Sequence, residues 1–145
     1  MNKLNTLIIV AFLAGCVTYA PFDYSHNQTT NAGIDIRLEK DATPLSHQNL
    51  DEYYRVVSQC VMGETPDPFF LIVISNTTVY DEYGRFADGI IDYAPRMPII
   101  TFQVVEGGEA YALAVFTHEV VHALLWLQGK STLHSMPEFE RCSFL

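Results

Sequence analysis

The segment "EAYALAVFTHEVVHALLWLQG", residues 109–129, limits what this chain can fold into more than any other. From about Gly108 to Gln128 it reads as a helix that is apolar on nearly every side. Such a helix has to be enclosed by other elements. Yet its middle carries His118, Glu119 and His122. Unpaired ionisable groups are costly to bury, so these three need a compensating partner.

His118 and His122 stand at i and i+4, one turn apart, and both rings point to the same side. Two imidazoles so placed can take two corners of a zinc tetrahedron. Glu119 lies about 100° around the helix, where it can reach a water at the metal without binding the metal. The pattern is H-E-x-x-H, here "HEVVH", and its mechanics are two zinc ligands and a general base on one helix. With five histidines and nine glutamates in 145 residues, chance supplies roughly 0.01 copies.

The remaining elements must wrap this helix. "IDIRLE", 34–39, alternates apolar and polar residues and reads as a half-buried strand with Ile34, Ile36 and Leu38 inward. "SHQNLDEYYRVVSQCVMG" repeats Leu50, Tyr53, Tyr54, Val57 and Val61 at helical spacing, with Ser46 to start it and Gly63 to end it. "FFLIVIS", 69–75, is a continuous apolar run and reads as a buried strand. Residues 80–89 are turn-rich. "IIDYA" and "PIITFQVV" read as two more strands, and Pro95 and Pro98 between them favour a sheet edge. Gly129 suits the end of the long helix, and Pro137 can open a short helical turn through Cys142. The order implies a small α+β domain over residues 34–145: a twisted, mostly antiparallel sheet packed on the buried helix plus one or two further helices. Trp126, Tyr111 and the phenylalanines are expected in the core, and His26 and His47 in solvent.

The N-terminus stands apart. "MNKLNTLIIVAFLAGC" has a lysine and then an apolar run from Leu7 to Ala14, too short to span a bilayer. It reads as a signal peptide over residues 1–15. Its end, "LAGC", resembles the lipobox of bacterial lipoproteins. The resemblance implies lipid on Cys16 and membrane attachment through that lipid. With Val17 and no aspartate next, it implies the periplasmic face of the outer membrane of a Gram-negative bacterium. Residues 16–33, polar and without period, read as a tether. Loss of the signal removes one lysine and takes the formal charge from −9 to −10. An acidic chain without a basic stripe is a poor partner for nucleic acid. Cys60 and Cys142 then remain in an oxidising compartment and are expected to form a disulfide.

"HEVVHALLWL" resembles the active-site helix of zincin metallopeptidases. That family adds a third protein ligand. The metzincin arrangement is excluded, because Leu125 and Gln128 stand where its glycine and histidine belong. A thermolysin-like glutamate could be Glu138 or Glu140, both slightly early. "HEVVHALL…LHSMPEF" is similar to SprT-like zincins, whose third ligand is a histidine shortly before a Pro-Glu-Phe-like segment. That resemblance covers about 25 residues and implies His134, with Glu138 next in line. Six residues from Gln128, about 9 Å past His122 along the helix, span up to about 20 Å, enough to bring His134 back.

The resemblance implies a lipid-anchored zinc peptidase acting on a peptide or protein substrate, with Glu119 as general base. It further implies that the strand ending at Val105 is the substrate-pairing edge. Tyr80, Tyr83, Arg85, Tyr93 and Arg96 are the polar side chains available to a developing oxyanion. Two other readings compete: a non-catalytic binding module with structural zinc, and a zinc amidase acting on peptidoglycan. A structural site has no use for a carboxylate such as Glu119 beside the metal.

Overall fold

The computed structural model describes residues 24–94, 96–104 and 108–144. The expected signal segment and Cys16, expected to carry the lipid, lie outside the described residues.

Strand β1 (Tyr24–Thr29) pairs antiparallel with β2 (Asp35–Glu39). Residues 24–29, expected within the tether, therefore belong to the sheet. In β2 the alternation holds: Ile36 and Leu38 are buried while Asp35 and Arg37 are exposed. Helix α1 (His47–Met62) follows. The Ser46 side chain accepts the Asn49 N–H at its start, and Gly63 ends it at φ +79°, a conformation that suits glycine. Leu50, Tyr54, Val57 and Val61 are buried along one stripe, with Tyr53 packed at its margin.

Strand β3 (Leu71–Ser75) is buried along its whole length. The turn-rich stretch beyond it forms a small hairpin of β4 (Val79–Tyr80) and β5 (Phe86–Ala87). Then come β6 (Gly89–Tyr93) and β7 (Pro98–Gln103). The five-stranded sheet runs β1-β2-β3-β7-β6. Its two outer pairs are antiparallel and its two inner pairs, β2 with β3 and β3 with β7, are parallel. The sheet is thus mixed rather than mostly antiparallel. The helix α1 links β2 to β3, and a helical crossover returns the chain in the same direction; alternation within a strand carries no information about direction.

This order also corrects the expected edge. The strand before the long helix, β7, is interior, with β3 on one side and β6 on the other. Pro98 is tolerated there because it is the first residue of its strand. The edge strand on this side of the sheet is β6, and β1 forms the other edge.

Helices α2 (Glu109–Leu127) and α3 (Pro137–Cys142) complete the domain. Ile36, Ile72 and Ile100 stand in register across β2, β3 and β7, and Leu38, Ile74 and Phe102 form the next row. Both rows join one core with Leu50, Tyr54, Phe116, Val120 and Leu124 of the helices. The middle of α2 is enclosed as its composition demands: Phe116, Val120, Val121, Ala123, Leu124 and Leu125 have no exposed surface. Tyr111 and Trp126, expected in the core, are both 39% exposed. They occupy the end turns of α2, where Tyr111 bonds Asp88 and Trp126 stacks on Tyr93. Phe70, Phe102, Phe116 and Phe139 are buried, whereas Phe86 and Phe144 are exposed. The expected disulfide is present: Cys60 in the last turn of α1 is bonded to Cys142, the last residue of α3.

Candidate metal centre

Helical spacing alone brings His118 and His122 together, with ring centroids 5.1 Å apart. The third histidine arrives by a turn. At the end of α2 the Gly129 N–H bonds the Trp126 carbonyl and the Lys130 N–H bonds the Leu125 carbonyl. With Gly129 at φ +65°, this is a Schellman motif. It sends the chain back along the helix, and His134 then meets the pair. Its Nε2 lies 3.0 Å from His118 Nε2 and 3.0 Å from His122 Nε2.

Three imidazole nitrogens converging on one point is an arrangement that suits a cation. The three histidines lie close enough to bind a metal ion. Tetrahedral ligation by nitrogen at about 2.0–2.1 Å puts ligand atoms about 3.3 Å apart, so the residues fit with a shift of a few tenths of an ångström. Glu138, the alternative third ligand, is elsewhere. It is buried on α3, with its carboxylate 3.7 Å from Lys130 Nζ. That ion pair ties together the two ends of the loop that carries His134. Among the described residues, the three histidines are the group of this kind that converges.

Neighbouring groups fix the rings. Phe139 packs against all three, at centroid distances of 5.1, 4.4 and 5.1 Å from His118, His122 and His134. Phe139 was legible only as part of the "PEF" resemblance, not as a floor beneath the rings. His122 hydrogen-bonds the Thr132 backbone, and the Ser143 hydroxyl lies 3.4 Å from His118 Nδ1. Neither contact had a signal in the sequence, since both depend on the path of the tail. Outer hydrogen bonds of this kind set the tautomer and orientation of ligating histidines.

Burial, and then the charge of His134, lowers the affinity of His118 for a proton. His122 is pushed down to about 4, by burial first and by its two histidine neighbours second. Both rings are therefore neutral at pH 7, the form a metal requires. Glu119, only 6% exposed, moves the other way: burial raises its carboxyl to about 7.

A cleft of about 940 Å³ opens over the triad, walled by β6, the β4–β5 hairpin and α2. His118, Glu119, His122 and His134 line it, together with Tyr80, Tyr83, Arg85 and Tyr93. Arg96, also considered for the oxyanion, is not among the lining residues. Arg85 is engaged already, in an ion pair with Asp81 at 2.6 Å. Comparison with protein-family models, curated proteins and solved structures returns no significant match.

Proposed function

We propose that this chain is a zinc-dependent peptidase of the H-E-x-x-H type, held at the periplasmic face of the outer membrane by lipid on Cys16. The observation that carries the reading is the convergence of His118, His122 and His134 beside a buried carboxylate, Glu119, under an open cleft. A three-histidine set leaves a fourth position free, as hydrolytic sites do and closed structural sites do not. The disulfide agrees with an oxidising compartment.

Bound zinc would supply Lewis acidity, lowering the pKa of a water to about 7 and polarising a carbonyl. The chain does the rest. Glu119 takes the proton of the attacking water and passes it to the leaving amine. Its burial favours the protonated form and a neighbouring dication favours the carboxylate; the two influences oppose and keep the group able to cycle. An extended peptide adds to the edge strand β6 through main-chain hydrogen bonds, which lays its backbone across the cleft. His134 completes the ligand set from the loop between α2 and α3.

Elemental analysis of the purified protein beside His134→Ala tests this reading. About one zinc per chain is expected, lost in the variant. Peptide hydrolysis that disappears in Glu119→Gln, with zinc retained, is the companion result. A wild-type protein that takes up no zinc, when zinc is offered under oxidising conditions, overturns the proposal.

A further inference from the structure

Gly89 is the first residue of β6 and stands in register with Phe102 of β7. Its α-carbon faces α2. Glycine weakens a strand, and a glycine inside one often marks a close approach. The backbone does not demand it, since Gly89 is absent from the glycines of positive φ. Space does. A methyl group at this position would lie 2.6 Å from Val115 Cγ1, 3.1 Å from Glu119 Oε1 and 3.2 Å from Glu119 Cγ. Carbon atoms rest at about 3.5–4.0 Å, so the first contact is forbidden and the other two are tight. Val115 and Glu119 are one turn apart on α2, and the glycine sits over both.

We infer that Gly89 is a positioning residue for the base: the side chain it lacks is the space in which the Glu119 carboxylate stands beneath the edge strand. A side chain there must displace Val115 and press the Glu119 carboxylate a few tenths of an ångström or more from the position in which it faces the space between the strand and the histidines. The inference rests on the reading of Glu119 as general base. It adds that the strand offered to substrate also sets where the base stands. Substrate register and base position are then fixed by a single element.

The test compares zinc-loaded full-length protein with Gly89→Ala, and with Gly89→Ala combined with Val115→Ala. The second variant relieves the Val115 contact and leaves only the contacts with Glu119. Both are expected to hold about one zinc per chain, with KM within a few-fold and kcat lowered on the order of 10²-fold, the low end of what a lost general base costs. Adding Val115→Ala should restore thermal stability without restoring kcat. In a Glu119→Gln background, Gly89→Ala should cost nothing further, because the two act as a unit. Crystal structures of the glycine variants should show the carboxylate moved from beneath β6. Wild-type kcat in Gly89→Ala, or kcat restored by Val115→Ala, overturns the inference. If the wild type hydrolyses no peptide, the proposed function falls, and the crystal structures still decide: a carboxylate that has not moved overturns the inference by itself. Should Gly89→Ala fail to fold, the double variant carries the same comparison.

Discussion

His118 and His122 reach the candidate metal centre by one route and His134 by another. The first two belong to the middle of α2, half-buried, and the helix repeat alone sets their separation. His134 is exposed, on a loop after the helix. Its place depends on the Gly129 turn, the Lys130–Glu138 pair, Phe139 and a tail bonded through Cys142 to α1. One half of the site is local and the other is assembled from distant parts of the chain. A lesion far from the histidines should therefore act on the second half and spare the first.

The largest effect should come from the disulfide. Replacing Cys60 and Cys142 by serine opens a loop of 82 residues, which is worth about 4–5 kcal/mol on the chain-entropy model. Urea unfolding measures that loss. Zinc affinity of the protein that remains folded should drop about 10–100-fold, as when the outer support of a ligand is removed, because α3 and the loop before it are freed. Chelator competition reads the affinity. Full affinity without the disulfide would break the comparison, since His134 would then hold its place unaided.

Phe139→Ala should cost about 3–5 kcal/mol, the usual range for a buried phenylalanine, and should also weaken zinc binding. Phe116→Ala makes the contrast sharp. Phe116 is fully buried in the core and should destabilise to a similar extent while leaving the zinc affinity of the folded protein unchanged. Equal losses of affinity in the two variants would mean that stability alone governs the site.

The same division decides what could be read from the sequence. The α2 helix, its enclosed middle and the pair of histidines were legible because periodicity and composition act over a few residues. So were the caps Ser46 and Gly63 and the turn at Gly129. His134 was reached through a resemblance and a reach argument rather than through periodicity. The direction of β2, β3 and β7 was not legible, and with it went the identity of the edge strand. Alternation tells which side of a strand faces in and not which neighbour it pairs with. Trp126 and Tyr111 were misplaced for a related reason: the apolar pattern of α2 does not say where its end turns stand relative to the sheet. Ser143 and Thr132 were invisible, since hydroxyls and backbone groups acquire a role only from the neighbour that folding brings.

Glu119 offers a smaller test within the local half. Its folded carboxyl titrates at about 7, against 4.5 ordinarily. In metal-free protein the folded state therefore holds more protons than the unfolded state between those values, and stability falls as pH rises through that window. Glu119→Gln removes this dependence. The Tm of the variant should exceed that of the wild type by an amount that grows from about pH 4.5 and levels off above pH 7. A difference of about 4 °C corresponds to roughly 1 kcal/mol for a domain between 100 and 150 residues. His122, displaced downward from 6.5 to about 4, works in the opposite sense: its contribution is lost as pH falls through that range. It is common to both proteins and cancels in the difference. A flat difference across pH would mean that Glu119 has an ordinary carboxyl.

The smallest effect should come from Ser143→Ala, and it bears most directly on how separate the two halves are. Ser143 follows the disulfide-bonded Cys142, yet its hydroxyl meets His118 Nδ1, a ring of the helical half, at 3.4 Å. The Phe144 N–H next to it reaches Thr117 Oγ1 on the same helix, also at 3.4 Å. These long contacts are weaker than ordinary hydrogen bonds. Zinc affinity should fall about tenfold, the low end for a group that orients a ligand, with stability nearly unchanged. A tenfold loss in Ser143→Ala that persists when Cys60 and Cys142 are already serine would mean that the tail orients His118 without help from the disulfide. A loss that vanishes in that background would mean that the disulfide serves both halves: it carries His134 to the site and brings Ser143 to His118, so even the ligand pair fixed by helix spacing takes its final orientation from the far end of the chain.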